Sequence, residues 1–277
     1  MSGNSTTKIA FSYFGGKFTH LESLYKEMPS DIIHLVDLFG GSFSVSLNYK
    51  GKAIRTANEI NSEITNFFQV LRDYRDELLY LLDLTPVSRL EFERCWESTG
   101  DKIENARRFY VRQRQSIFSM GAQSESKGWH MAKTRRNAAG GEVVSKWNNA
   151  LDKLHEVAQI IRTNFQITNW DYLECIDRID FKGAFFYCDP PYTEASRASK
   201  NDYKFEFTDI DHMALSERLR SIKGRAMVSG YDCHLMNSLY SDWRKVKLPV
   251  KRNNIRSGKV QEVIWMNYER EQKGLFS

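Results

Sequence analysis

Ala184-Phe185-Phe186-Tyr187-Cys188-Asp189-Pro190-Pro191-Tyr192 is the stretch on which the fold turns. Its first five residues form an apolar run without polar alternation, the pattern of a strand buried on both faces inside a helix-covered sheet. The run ends in an acid, two prolines and an aromatic, at the carboxyl end of the strand, where open α/β sheets place their ligands. Each proline fixes its own φ and disfavours the helical region for the residue before it, so the Asp189 and Pro190 carbonyls sit in a rigid extended turn. An acceptor carboxylate, a fixed carbonyl and an aromatic plate suit a flat group bearing an exocyclic amine, such as an extruded adenine. The competing reading is an ordinary Pro-Pro strand terminator, and position after a buried strand weighs against it.

Working outward, β-branched runs bounded by turn residues predict further strands at Ile33 to Leu38, Ala53 to Asn58, Phe165 to Thr168, Ala226 to Ser229 and Val263 to Tyr268. Helical spacing between them places Ile60, Ile64, Phe67, Phe68, Leu71, Leu78 and Leu82 on one face of Glu59 to Leu82, and Met213, Leu215 and Leu219 on one face of Asp209 to Ser221. Alternating strands and helices predict a mostly parallel α/β sheet. The alternation lapses between Pro86 and Phe165, where the pattern is helical, polar and interrupted by glycines. The expected organisation is therefore one catalytic domain from residues 1–84 and 165–277, interrupted by a mostly helical insert, 85–164.

The 277-residue chain is 41% hydrophobic and 27% charged, which excludes a wholly disordered or fibrous chain. Its net charge of +5 is concentrated: Ala106 to Lys146 holds nine basic residues against two acidic, a local +7 that leaves −2 elsewhere. Interleaving with Phe118, Trp129 and His130 gives the composition of a nucleic-acid surface, with a solvated helix face as the equal alternative. Cys95, Cys175, Cys188 and Cys233 form no C-x-x-C pair, no apolar stretch reaches ~18 residues, and the polar N-terminus lacks a signal-peptide core. A reduced cytoplasmic setting with no membrane segment is the expectation. No H-x-x-x-H or H-E-x-x-H grouping marks a catalytic metal, and no G-x-S-x-G elbow marks a hydrolase.

Two glycine turns complete the pattern. Leu35-Val36-Asp37-Leu38-Phe39-Gly40-Gly41-Ser42 reads as strand, glycine turn and helix start, yet G-x-G-x-x-G is absent, so a pyrophosphate is not the obvious ligand. About twenty residues on, Glu59 ends the next strand where an acid accepts from ribose hydroxyls or complements a helix N-terminus. Phe11-Ser12-Tyr13-Phe14-Gly15-Gly16-Lys17 superficially matches a phosphate loop, but Phe11 and Phe18 stand where Gly and Ser/Thr belong.

In this order, F-x-Y-x-G-G-K, D-L-F-G-G-S-F-S, N-E-I-N-S-E, a basic insert and F-Y-C-D-P-P-Y, the chain resembles the Dam-type, D12-class DNA N6-adenine methyltransferases. Tyr203 to Asp209, Met227 to Asp232 and Glu262 to Tyr268 extend the resemblance. It implies a Rossmann-like, seven-stranded, mostly parallel sheet and a site-specific methyl transfer from S-adenosyl-L-methionine to an extruded adenine in double-stranded DNA, without a metal. By motif, Tyr13 and Lys17 would hold the methionine end of the cofactor above Asp37 and Phe39 to Gly41, Glu59 the ribose, and Asp171 and Tyr172 the cofactor adenine. Glu59 departs from the family's usual Asp. Asp189, Pro190, Pro191 and Tyr192 would bind the target base.

The insert would be the target-recognition module, with a hairpin at Gln115 to Ser126. Candidate DNA contacts there are Arg112, Arg114, Phe118, Ser119, Met120, Gln123, Lys133, Arg135 and Arg136, joined by Tyr203, Arg252 and Arg256 on two basic loops. Two other readings stay open: a catalytically inactive DNA-binding or regulatory subunit of the same fold, and transfer to another planar amine, cytosine N4 or RNA. The recognition sequence, a companion restriction enzyme, bacterial or phage origin, and the oligomeric state, a monomer included, are not legible.

Overall fold

The computed structural model describes residues 7–13, 15–117, 128–131, 136–137, 140–193, 207–249 and 261–270. In chain order the elements are α1 (Leu21–Glu27), β1 (His34–Asp37), α2 (Ser44–Asn48), β2 (Ile54–Asn58), α3 (Ser62–Asp73), α4 (Arg75–Asp83), α5 (Arg89–Arg94) and α6 (Lys102–Gln115). Then follow β3 (Arg136–Asn137), β4 (Gly140–Gly141), α7 (Glu142–Asn164), β5 (Phe165–Thr168), α8 (Tyr172–Ile179), β6 (Ala184–Cys188), α9 (Asp209–Arg220), β7 (Arg225–Tyr231), α10 (His234–Leu239), β8 (Arg244–Lys247) and β9 (Glu262–Met266).

Seven strands form one sheet in the order β5-β2-β1-β6-β7-β9-β8, a Rossmann-like, mostly parallel arrangement as expected. The first five in that order are parallel, and β9 runs antiparallel to both its neighbours. The chain builds outward from β1 through β2 to β5, then returns to the other side of β1 with β6. A topological switch point therefore lies between β1 and β6, and the crevice beyond their carboxyl ends is open to a ligand.

β6 is buried at all five positions. Ala184, Phe186 and Cys188 enter one core with residues of α8, α9 and α10, while Phe185 and Tyr187 enter another with Leu21 and Leu24 of α1. β8, absent from the sequence reading, reads Arg-Lys-Val-Lys, and its alternation is half-buried against exposed. Lysine on an edge strand blunts pairing with another chain, and it also removes the apolar signal.

The helix expected from Glu59 to Leu82 is two helices that break at Tyr74, and Ile60 lies before the first of them, 44% exposed. Met213, placed on the buried face of α9 by its spacing, is 49% exposed. Both corrections have one cause: an apolar residue at helical spacing is buried only where another element covers it. In the 85–164 segment, α6 and α7 contribute Phe109, Tyr110, Trp147, Leu154 and Val157 to a core that also holds Phe11, Phe67, Phe68 and Leu78. Phe67 stacks on Tyr110 at 5.3 Å between ring centroids, so the helical part of the segment packs as a layer of the main fold. At the C-terminus of α6, Ile117 N–H donates to Gly128 O and His130 N–H to Gln115 O, so residues 115–117 and 128–130 pair antiparallel.

Candidate active site

Four loops at the carboxyl ends of strands, with the N-terminal loop as a fifth, enclose a cavity of about 260 Å³. Tyr13, Gly15 and Gly16 line it from the N-terminal loop, Phe39, Gly40 and Gly41 from the end of β1, and Asn58 to Asn61 from the end of β2. Trp170, Asp171 and Tyr172 follow β5, and Asp189, Pro190, Pro191 and Tyr192 follow β6. Phe39 and Asp189, 150 positions apart, thus meet because β1 and β6 are neighbours.

The glycine turn after β1 brings bare backbone to the cavity. Gly41 has φ +53°, the left-handed region that disfavours a side chain, and a Cβ there would meet the Tyr13 ring at 2.8 Å. Its N–H donates to Glu59 Oε2 at 2.7 Å, and Asn61 N–H donates to Glu59 Oε1 at 2.8 Å. Burial pushes the Glu59 carboxyl above the usual carboxylate range, and these two backbone donors pull it back. Beside it, the buried Asn58 joins three strand ends: its amide donates to the carbonyls of Leu38 and Trp170, and its Oδ1 accepts from Trp170 N–H and Thr168 Oγ1. The sequence reading assigned Asn58 no role, because only the sheet order shows what its side chain spans.

At the other end of the crevice Phe39, Tyr172 and Phe207 form an aromatic group, with ring centroids 5.2 to 5.8 Å apart. Phe207, which lines the same cavity, was not among the candidates, since it sits just before α9 and far from the glycine turns. Asp171 caps α8 through Leu173 N–H at 2.9 Å while facing the cavity. His212 of α9 packs its ring edge-on to Phe207 and bonds Pro191 O at 3.1 Å, so α9 anchors the Pro-Pro turn from outside.

Asp189 is the charged centre. Its Oδ1 accepts from Ser229 Oγ on β7 at 2.7 Å, and its Oδ2 lies 2.8 Å from Lys17 Nζ. Lys17, 1% exposed, also donates to Gly15 O at 2.9 Å and to the Tyr192 hydroxyl at 2.5 Å. Burial by itself would lower the Lys17 pKa, but Asp189, Tyr187 and Glu262 outweigh it and raise it, so the amine is an ammonium at neutral pH. Burial raises the Asp189 carboxyl, and Lys17 and Ser229 oppose that rise.

Three expected side chains stand differently from the sequence reading. Asp37 does not line the cavity and accepts from Ser46 Oγ at 2.7 Å, so it pins α2 behind the glycine turn. Tyr192 is 5% exposed, with Tyr231 tilted 50° against it at 4.2 Å between ring centroids, so a second tyrosine packs on one side of a ring that still lines the cavity. Arg112 is buried and paired with Glu63 at 2.5 Å, its guanidinium over Trp96, which leaves no support for its reaching a base edge. Arg114 donates to Lys146 O at 3.4 Å, and Arg136 lies in the short β3. Phe118, Ser119, Met120, Gln123, Lys133, Arg135, Tyr203, Arg252 and Arg256 lie outside the described residues.

Among the described residues no group of three or more His, Cys, Asp or Glu is placed to hold a metal, and no helix is long and apolar enough to cross a membrane. The chain is similar to the type II methyltransferase M.FokI of Planomicrobium okeanokoites, 24% identical over 96% of this chain and 43% of that protein. It is likewise similar to the type II methyltransferase M1.LlaDCHI of Lactococcus lactis subsp. cremoris, 24% identical over 92% of this chain and 93% of that protein. The chain thus spans less than half the length of one relative and nearly all of the other. The model of one family matches residues 13–255, a span that contains all five cavity loops. A crevice at the sheet's switch point, a glycine turn answered by an acid, and an acid-Pro-Pro-aromatic turn after β6 are thus the parts of a chain that belongs to the D12 class N6 adenine-specific DNA methyltransferases.

Proposed function

We propose that this protein transfers a methyl group from S-adenosylmethionine to the exocyclic N6 of an adenine extruded from duplex DNA. The observation that carries the reading is Asp189: a carboxylate anchored by Lys17 and Ser229 in the wall of the cavity, followed by the Pro190-Pro191-Tyr192 turn.

The residues present fit the cofactor. Bare backbone at Gly40 and Gly41, where a Cβ would collide with Phe43 or Tyr13, admits a ligand closely. Glu59 is an acceptor suited to ribose hydroxyls, and the Phe39, Tyr172 and Phe207 rings suit a flat heterocycle. When bound, the cofactor supplies an activated methyl group on a sulfonium.

The rest is positioning by this chain. The N6 amine of adenine is a poor nucleophile because its lone pair is delocalised into the ring. The Asp189 carboxylate and the Pro190 carbonyl each accept one N6 hydrogen, which lets the nitrogen pyramidalise and expose that lone pair. A carboxylate has about four acceptor sites, of which Ser229 and Lys17 occupy two, so capacity for the amine remains. Holding the amine against the methyl donor replaces a bimolecular encounter by an effectively unimolecular one. Tyr192, packed on Tyr231, gives the base a firm aromatic wall and compensates part of an unstacking cost of a few kcal/mol.

The DNA surface of this reading is the basic 106–146 region, whose first residues lie in α6 beside the crevice. Gln113 Nε2 donates to Ser12 O at 2.5 Å, beside the cavity residue Tyr13, and Gln115 Nε2 donates to Pro86 O.

Radiolabelled methyl transfer to unmethylated mixed-sequence duplex DNA, followed by nucleoside digestion and mass spectrometry, tests the proposal. Label in N6-methyladenine supports it. Label in N4-methylcytosine, or in RNA but not DNA, replaces the substrate, and cofactor binding with DNA affinity but no transfer leaves a binding subunit.

A further inference from the structure

Glu262 opens β9 opposite Tyr231 of β7. Because β9 runs against β7, its first residue arrives at the carboxyl ends of β6 and β7, next to the acceptor turn. Its Oε2 is buried and accepts no hydrogen bond among the described residues. The same oxygen lies 3.7 Å from Lys17 Nζ and 3.6 Å from His20 Nε2. Lys17 has three donors, and Gly15 O, the Tyr192 hydroxyl and Asp189 Oδ2 match them. Glu262 therefore stands just outside hydrogen-bond range of a saturated cation. Leaving a charged acceptor buried without a hydrogen bond is costly, which calls for a role beyond packing.

Resting on the function proposed above, we infer that Glu262 is a positioning residue for methyl transfer, the second anion that keeps the Lys17 ammonium in place when Asp189 engages the substrate amine. An amine hydrogen arriving at Asp189 competes with Lys17 for the same carboxylate. A lysine tied to one carboxylate follows it, whereas a lysine between two, at 2.8 and 3.7 Å, stays put and continues to fix the Tyr192 hydroxyl. Glu262 touches neither base nor cofactor in this scheme and acts through Lys17 alone.

The test is a cycle of Glu262→Gln, Lys17→Met and the double variant in the full chain, with kcat, both KM values and the unfolding midpoint measured. Glu262→Gln is expected to lower kcat about tenfold while KM for S-adenosylmethionine and for duplex DNA stays within about twofold. In the Lys17→Met background the same change is expected to do nothing further, and Glu262→Asp, which keeps the charge, is expected to recover most of kcat. An unchanged kcat, or an undiminished effect without Lys17, overturns the inference, as does a lower midpoint with the rate per folded molecule preserved. Absence of transfer by the parent protein refutes the functional reading instead. In that event the midpoints decide the inference, with coupling between positions 17 and 262 expected and strict additivity overturning it.

Discussion

Replacing Asp189 by asparagine keeps the shape of the side chain and removes its charge and half of its acceptor capacity. Oδ1 receives the Ser229 hydroxyl at 2.7 Å and Oδ2 faces Lys17 at 2.8 Å. Lysine only donates, so the amide must point its carbonyl at Lys17 and its NH2 at Ser229, whose oxygen accepts as well as donates. Of about two acceptor sites left for a substrate amine in the carboxylate, about one survives, and it sits on a neutral oxygen. A hydrogen bond to a charged group is worth ~1.5–3 kcal/mol. At 1.36 kcal/mol per decade, kcat is expected to fall about 10- to 150-fold from that loss alone. Breaking a buried ion pair costs ~3–5 kcal/mol. The Asp189 side chain is 18% exposed and Glu262 remains 3.7 Å from Lys17, so the expected loss of stability is smaller, ~1–3 kcal/mol. Initial rates at saturating DNA and cofactor, together with calorimetric affinity for S-adenosylmethionine and a denaturant midpoint, separate these effects. A rate within about threefold of the parent, with cofactor affinity intact, would refute the acceptor argument.

Asp37 predicts a pH effect on stability. Burial drives its carboxyl up to about 7 against the Ser46 hydrogen bonds, with Asp189 and Glu59 adding repulsion. The folded protein therefore keeps a proton that the unfolded chain releases above about pH 4, so this contribution is full below that pH and is lost as pH rises through 7. Asp37→Asn is expected to gain stability over the parent between about pH 4 and 8, by up to ~4 kcal/mol, and a pH-independent difference in urea midpoints would overturn the assignment. Gly41→Ala puts a Cβ against the Tyr13 ring at φ +53°, and is expected to cost ~1–3 kcal/mol and to weaken cofactor binding. Unchanged affinity by titration calorimetry would show that the turn does not face the ligand. Arg112→Leu, which removes the buried partner of a Glu63 that still reaches solvent, is expected to lower stability by ~1–2 kcal/mol with no change in target sequence. Altered site preference in methylation mapping would restore Arg112 as a base reader.

Ala184–Cys188 was legible because burial on both faces demands a continuous apolar run, while the edge strand Phe165–Thr168 was marked by its aromatic and β-branched residues, and both stand at the expected bounds. The turns that line the cavity were legible for a related reason, since glycine and proline impose backbone geometry wherever they stand. Arg244–Lys247 escaped because an edge strand shows its polar face to water and carries no run. The break at Tyr74 escaped because neither glycine nor proline marks it, and packing alone splits α3 from α4.

Local chemistry along the chain therefore determined which residues could accept, stack or turn, and in what order they occur. Only the tertiary structure decided which of them meet. Lys17 is bound to Asp189 and Tyr192, partners that its motif does not name, and Asp37 bonds Ser46 behind the glycine turn. Glu262, Phe207 and Asn58 lie in stretches that carry the family resemblance, yet the sequence assigns none of them a role, and only the fold joins them to the site. The reason is physical: a side chain's partners depend on sheet order and on the low-dielectric surroundings that make a buried ion pair strong or an unpaired oxygen costly. Neither is a property of the residue's neighbours in sequence.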